Sequence, residues 1–260
     1  MKSYLERSIR TTNLPLPTFE PQTSVMFDPA FRADPVDRTQ EFPVDLESVV
    51  LPIDKPKGIT SFDVIRALRR ILKIRKIGHA GTLDPMATGL LICLIGKSTK
   101  RMNEFLEYKK CYTGTMRFGQ TTPSFDAETE VEKVEDVSAL TITDIREASS
   151  VFSGTILQQT PMYSAVRVGG ERLYHKARRG EKVKTPQRFV TIYDFSIDNY
   201  SAPDATFTLI CSTGTYVRSV AHEMGQALGC GAHLVALRRE YIGPVSVETA
   251  WSLDDIPSRD

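Results

Sequence analysis

The sequence predicts an α+β fold with a mixed sheet. Strand-like and helix-like stretches are interspersed without the strict βαβ alternation of a doubly wound domain. Helical periodicity is strong in few places, chiefly at Val64, Ile65, Leu68, Ile71 and Leu72 and again at Val217, Val220, Ala221, Met224 and Leu228. Elsewhere, apolar or alternating runs of strand length recur. The 260 residues, 41% of them hydrophobic, are enough for a full core in one large or two small domains.

Residues 1–47 hold six prolines and five Lys/Arg against eight Asp/Glu, with little apolar periodicity, and read as an extended N-terminal arm. Val49–Ile53 is the first core strand, and Asp54–Gly58 a turn. Thr60 or Ser61 then caps a helix to about Leu72, whose outer face carries Arg66, Arg69, Arg70 and Lys73. Gly78 to Leu90, rich in glycine and threonine, breaks all periodicity and is a shaped loop. The apolar run Leu90–Ile95 behind it is a buried strand. Ser98 caps a short helix through Leu106. Lys109–Gly119 alternates as a strand, Phe125–Val134 has hairpin character with an acidic outer face, and Asp144–Phe152 is a short helix. Gly169-Gly170 makes a tight turn. A basic helix follows over Glu171–Arg179, with Tyr174 and Ala177 inward and Gly180 closing it. Phe189–Tyr200 and Ala205–Cys211 are paired strands. The helix beginning near Val217 ends at Gly229 and Gly231, and Gly231–Arg239 returns as a strand.

Net charge is only +1, from 33 Lys/Arg and 32 Asp/Glu, but it is unevenly spread. Arg66–Arg117 holds twelve Lys/Arg against three acids, and Arg167–Arg188, which includes Arg178 and Arg179, eight against two. Residues 1–47 and Asp126–Glu147 are acidic. The basic blocks are either a face for a phosphate backbone or solvated helix faces. Cys93, Cys111, Cys211 and Cys230 lie far apart with no Cys-x-x-Cys pair, so reduced thiols and a cytoplasmic location are expected. No apolar run reaches membrane-span length, and Met1–Arg10 lacks the layout of a signal peptide.

Asp84 is the one carboxylate in Gly78–Leu90, and Pro85 follows it. By itself Asp-Pro reads as a turn dipeptide, and His79 as a satisfied polar contact. Gly96-Lys97-Ser98 lacks the earlier glycine of a phosphate loop, since position 91 is leucine, which excludes a nucleoside triphosphatase. His222-Glu223 has no second histidine at zinc-protease spacing. No credible metal-ligand cluster is present, so no metal is expected.

Longer strings decide more. Gly78-His79-Ala80-Gly81-Thr82-Leu83-Asp84-Pro85-Met86-Ala87-Thr88-Gly89-Leu90 resembles the signature loop of the TruB family of tRNA pseudouridine synthases, in which the aspartate is catalytic. Asp54-Lys55-Pro56-x-Gly58-x-Thr60-Ser61 resembles the first family motif. The segment Gln159–Ala165 and the string Tyr216-Val217-Arg218 extend the resemblance over about residues 48–250. It implies the pseudouridine synthase fold: a central mixed, largely antiparallel sheet with flanking helices and an active-site cleft. The domain division it implies is an extension over 1–47, a catalytic domain over 48–250 and a tail over 251–260, with no RNA-binding domain of the PUA type. The implied reaction isomerises the T-loop uridine of tRNA, at tRNA position 55, by flipping the base out and using Asp84 as nucleophile or base. No redox change or group donor is involved, so no cofactor is called for.

The resemblance also implies roles. Arg218 pairs with Asp84, and a guanidinium beside a carboxylate in a closed pocket keeps it ionised by lowering its pKa, typically by about one to three pH units. Tyr112 stacks on the flipped base, while Tyr216 handles protonation at C5 or hydrogen bonds in the pocket. Leu237 is an apolar wall. His79 wedges into the loop the base has left, and Lys55 with Pro56 supports the floor. Arg178 and Arg179 are expected against the RNA backbone. The expected partner is the tRNA T stem-loop, bound by a monomer with no membrane and no obligate protein partner. Two other readings stay open: a non-catalytic tRNA-binding folding chaperone, and a guide-RNA-dependent relative like dyskerin.

Overall fold

The computed structural model describes residues 35–259, so the predicted N-terminal arm lies outside the described residues up to position 34. The described chain divides into two compact units, residues 35–113 with 237–259 and residues 114–236. Its strands are β1 (Ser48–Lys55), β2 (Ile77–Ala80), β3 (Thr88–Gly96), β4 (Lys110–Phe118), β5 (Gln120–Thr121), β6 (Lys133–Val134), β7 (Gly154–Gln159), β8 (Arg167–Val168), β9 (Glu171–Arg172), β10 (Gln187–Ser201), β11 (Asp204–Cys211), β12 (Ala232–Ile242) and β13 (Val245–Ser246). The α-helices are α1 (Ser61–Leu72), α2 (Met102–Glu107), α3 (Ile142–Ser150), α4 (Leu173–Arg178) and α5 (Val217–Leu228). Strands β4 and β12 each have residues in both units.

In the first unit β3 is central. It pairs antiparallel with the whole of β1, from Ser48 opposite Gly96 to Lys55 opposite Gly89. On its other edge it pairs antiparallel with β2 and, at Thr88 and Gly89, parallel with Arg238 and Arg239 of β12. The run Gly89–Ile95 is buried throughout because both faces are covered. Leu91, Cys93 and Ile95 pack with Leu51 and Ile53 against Val64, Ile65, Leu68 and Leu72 of α1. Leu90, Ile92 and Leu94 point the other way, onto Phe105, Ile242 and Val245. Each such residue contributes about 1.5–3 kcal/mol before the entropy of ordering is set against it. Helix α1 starts at a capping box in which Thr60 and Asp63 satisfy each other's backbone N–H, and the hydrogen bonds from Thr60 hold the Asp63 carboxyl below its ordinary range. Residues flanking the expected catalytic span join this core. Val36 N donates to Val50 O (3.0 Å), Asp54 N to Trp251 O (2.9 Å), and Phe42 meets the Trp251 ring edge-on at 5.3 Å.

The second unit pairs the long strand β10 antiparallel with β11 on one side and β7 on the other. Two register shifts interrupt the β10–β11 ladder, between Ile192 and Asp194 and between Ile197 and Asn199. Helix α3, capped by Thr141 and Asp144, docks on β10, where the Arg146 guanidinium donates to Ile197 O at 3.1 and 3.2 Å. Phe195 stands edge-on to both Phe152 (6.5 Å) and Phe207 (5.8 Å). At Gly225 of α5 an added Cβ would lie 2.0 Å from Ala232 N, so only glycine lets the helix meet the start of β12.

The α+β reading and most element positions hold, but strand β7 at Gly154–Gln159 is not among the predicted elements, and four predicted ones differ. Gly78–Ala80 belong to β2 rather than to a loop, because their backbone is taken up by pairing with Ile92–Leu94. The hairpin pairing lies at Gln120–Thr121 and Lys133–Val134 instead of within Phe125–Val134. Glu171 and Arg172 close a two-stranded turn with Arg167 and Val168, so the basic helix starts only at Leu173, which is its buried residue. Ser98 caps nothing; its hydroxyl meets Ser48 Oγ at 3.0 Å.

Gly89 has φ +97°, and a Cβ there would lie 2.4 Å from Arg239 O and 2.7 Å from Arg239 N. Gly89→Ala is expected to destabilise the protein by about 2–4 kcal/mol through overpacking and backbone strain. Chemical denaturation reads this as a lower midpoint.

Candidate active site

Asp84 lies half-buried in the loop between β2 and β3, flanked by the buried Leu83 and Met86. A tight reversal forms there as Ala87 N donates to Asp84 O (3.1 Å). Outside the ladder the loop's polar backbone groups need other partners; Gly58 N donates to Pro85 O (2.8 Å), and buried side chains serve several of the others. Ser61 Oγ, on the first residue of α1, accepts from Leu83 N (2.8 Å) and donates to Leu83 O (3.1 Å). Lys55, 0% exposed at the end of β1, points Nζ at Ile59 O (2.8 Å), Pro56 O (3.0 Å) and Pro85 O (3.4 Å). Arg239, 1% exposed on β12, donates from Nε to Leu90 O (2.7 Å) and from Nη2 to Gly81 O (3.0 Å). Arg239 thus joins the two ends of the loop.

Several predicted residues gather around this loop. Lys55 lies against it, through carbonyls that include those of the exposed Pro56 and of Pro85. Leu237, on β12, is buried and its carbonyl accepts from Thr88 Oγ1 (3.4 Å) at the loop's exit. His79 stands on β2; burial first, and the nearby Arg239 charge second, push its imidazole below the ordinary range, so it stays neutral at pH 7. Tyr112 is buried on β4 in the same unit.

Tyr216, Arg218, Arg178 and Arg179 belong to the other unit. Arg218, the second residue of α5, is 4% exposed. Its Nη2 donates to Tyr163 O (2.6 Å) and Nη1 to Ser124 O (3.3 Å), with Nη1 3.6 Å from Asp126 Oδ2. Asp126, 1% exposed, is itself held by Ser124 Oγ (2.5 Å) and Glu128 N (3.0 Å). Between Ser124 and Asp126, Phe125 adopts φ +66°, unusual for a side chain of its size, and its ring stacks on His222 at 3.7 Å. Burial pushes the His222 imidazole down to about 4, so that stack is uncharged at pH 7. The Tyr216 ring lies 5.7 Å from Arg218 Cζ.

Helix α4 places its cations differently from one another. Arg178 and Arg172 flank the Tyr174 ring, whereas Arg179 forms paired bonds to Glu171 (2.6 and 2.8 Å) and one to Glu181 (2.8 Å). The Arg179 hydrogen bonds hold the Glu171 carboxyl down at about 2.

Sequence reasoning missed Ser61 as a loop clamp, and Arg239, Asp126 and Gln158 altogether. Arg239 carried one signal: it occupies an inward position of an alternating strand. Asp126 carried a weaker one, an acid set among the hydroxyls of Thr122 and Ser124. Gln158 is 0% exposed and bonds the backbone of Tyr216.

Residues 69–217 match the model of the TruB family pseudouridylate synthase N-terminal domain, and residues 218–259 that of the tRNA pseudouridylate synthase B C-terminal domain. The chain is 46% identical over 212 residues to tRNA pseudouridine synthase B of Opitutus terrae, covering 82% of this chain and 88% of that one. It is 45% identical over 205 residues to the protein of that name in Burkholderia pseudomallei (79% and 68% covered), and 43% identical over 212 residues to that in Flavobacterium johnsoniae (79% and 93%). Among solved structures it is similar to a chain of a Cbf5-Nop10-Gar1 complex, with TM-score 0.64 and 27% identity over 90% of this chain. It is also similar to a chain of an H/ACA RNP bound to a substrate RNA containing 2'-deoxyuridine, with TM-score 0.62 and 26% identity over 89%. The chain spans 60% of each of those two solved chains. With a family match over more than half its length and relatives this similar, the chain belongs to the TruB family of pseudouridylate synthases.

Proposed function

We propose that this protein is a tRNA pseudouridine synthase that isomerises the T-loop uridine at tRNA position 55, with Asp84 as nucleophile or base. The observation that carries the reading is the similarity to relatives named tRNA pseudouridine synthase B across about four-fifths of the chain. The Asp84 loop fits the role. Its backbone is fixed at Gly81, Leu83, Pro85 and Leu90 by buried side chains, so the carboxylate sits on a rigid mount.

In the reaction the bond from uracil N1 to the ribose breaks, the detached uracil turns, and C5 bonds to the same ribose carbon; C5 gives up its proton and N1 gains one, so the product is an isomer of the substrate. Asp84 acts in its ionised form, and Arg218 favours that form. Flipping the base costs a few kcal/mol, and stacking on Tyr112 returns about 1–3 kcal/mol. Tyr216 serves the C5 proton or the pocket's hydrogen bonds, Leu237 walls the pocket, and the neutral ring of His79 fills the place of the flipped nucleotide. Arg178 contacts phosphate directly. Arg179 does so by exchanging Glu171 and Glu181 for RNA. The protein works as a cytoplasmic monomer without a protein partner.

Purified protein, incubated alone with an unmodified tRNA transcript, is expected to form pseudouridine at that position, as read by nucleoside analysis. Asp84→Asn is expected to lower the rate by about a thousandfold or more with tRNA affinity nearly unchanged. Bound tRNA without product from the unsubstituted protein would favour a folding chaperone instead. The basic blocks predict that tRNA affinity falls by about tenfold or more when salt is raised from about 50 to 200 mM; a flat dependence would remove the phosphate contacts.

A further inference from the structure

Tyr216 is held by two residues that face each other across two strands. Gln158 on β7 and Arg188 on β10 are Cα partners in the antiparallel ladder, so their side chains leave the same face. Gln158 uses its whole amide on the tyrosine backbone: Oε1 accepts from Tyr216 N (2.8 Å) and Nε2 donates to Tyr216 O (3.1 Å). Arg188 takes the ring, with Cζ 5.3 Å from its centroid and Nη2 donating to Thr160 Oγ1 at 3.4 Å. Space for that guanidinium depends on Gly214, where a Cβ would lie 3.2 Å from Arg188 Nη1. Among the described residues no carboxylate lies within ion-pair distance of Arg188, so its charge is directed to the tyrosine π face rather than to an acid.

Arg218 also approaches the ring, with Cζ 5.7 Å from its centroid, and Ser219 N and Val220 N donate to Tyr216 O as α5 begins, but Gln158 is the side chain that bonds the Tyr216 N–H. Tyr216 stands at the N-cap of α5 with no side-chain capping bond, and it is half-buried. A tyrosine free to change rotamer in a pocket loses rate, because catalysis requires reacting groups held close to one geometry. We propose that Gln158 and Arg188 are positioning residues for Tyr216, Gln158 locating its backbone and Arg188 its ring, so that the phenol meets the flipped uracil in a single orientation. This rests on the reading of Tyr216 as a pocket residue of a pseudouridine synthase.

The test is single-turnover isomerisation of tRNA transcript together with tRNA binding, for the unsubstituted protein, Arg188→Gln, Arg188→Lys, Gln158→Leu and Tyr216→Leu. The double variants of Tyr216→Leu with the Arg188 and Gln158 changes complete the set. Arg188→Gln and Gln158→Leu are expected to slow the saturated rate about five- to thirtyfold with the tRNA Kd unchanged, and Arg188→Lys to recover most of the loss by restoring a cation. In the Tyr216→Leu background, where no ring is left to hold, Arg188→Gln is expected to add less than about twofold. An equal loss in both backgrounds, a loss confined to Kd with a shallower salt dependence, or no loss would each overturn the proposal. A melting curve accompanies each variant; if Gln158→Leu fails to fold, the Arg188 pair decides. An active unsubstituted protein with an indifferent Arg188→Gln defeats this inference alone, whereas an inactive unsubstituted protein defeats the functional reading beneath it.

Discussion

Backbone carbonyls taken out of water must find donors, and in the loop that carries Asp84 several of those donors are buried side chains. Ser61, Lys55 and Arg239 come from a helix, a strand end and a second strand, and each is almost wholly buried. Their hydrogen bonds would be weak in water, but in a dry interior a carbonyl left without them would cost about 1–3 kcal/mol. The loop is therefore irregular and rigid at once. A carboxylate set on it is carried by a backbone that the core of its unit holds in place.

The second unit solves the same problem for a guanidinium. Arg218 gives hydrogen bonds to the carbonyls of Tyr163 and Ser124 and lies near the Asp126 carboxylate. Tyr163 falls in the segment Gln159–Ala165, which is conspicuous in the sequence but has no chemistry of its own; its backbone supplies the acceptor. The strained φ of Phe125 is the local consequence of turning both the Ser124 carbonyl and the Asp126 carboxylate toward one arginine.

Much of this was legible in the sequence. The stripe Val64, Ile65, Leu68 and Leu72 gives α1, and the unbroken apolar run Leu90–Ile95 reports a strand covered on both faces. The Asp84 string, Lys55 and Arg218 stand out because long motifs combine residue types that no packing requirement demands together. What stayed hidden shares one cause. Arg239, Gln158 and Asp126 are polar residues whose importance lies in being buried against backbone atoms far away in the chain, and neither periodicity nor local spacing encodes such a partner. The assignment of Gly78–Ala80 to a loop failed for a related reason: glycine-rich composition reports the freedom of the chain, whereas pairing with β3 decides its conformation.

The double coverage of β3 has a kinetic side. Its amide protons are bonded on both edges over part of its length and shielded on both faces, so their exchange with solvent water requires the whole unit to open rather than a local breathing motion. Asp84 is only eight positions from Ile92, the middle of that strand. Under the proposed function, the group that meets tRNA is thus moored beside a strand covered on both faces, which leaves the RNA to do most of the bending.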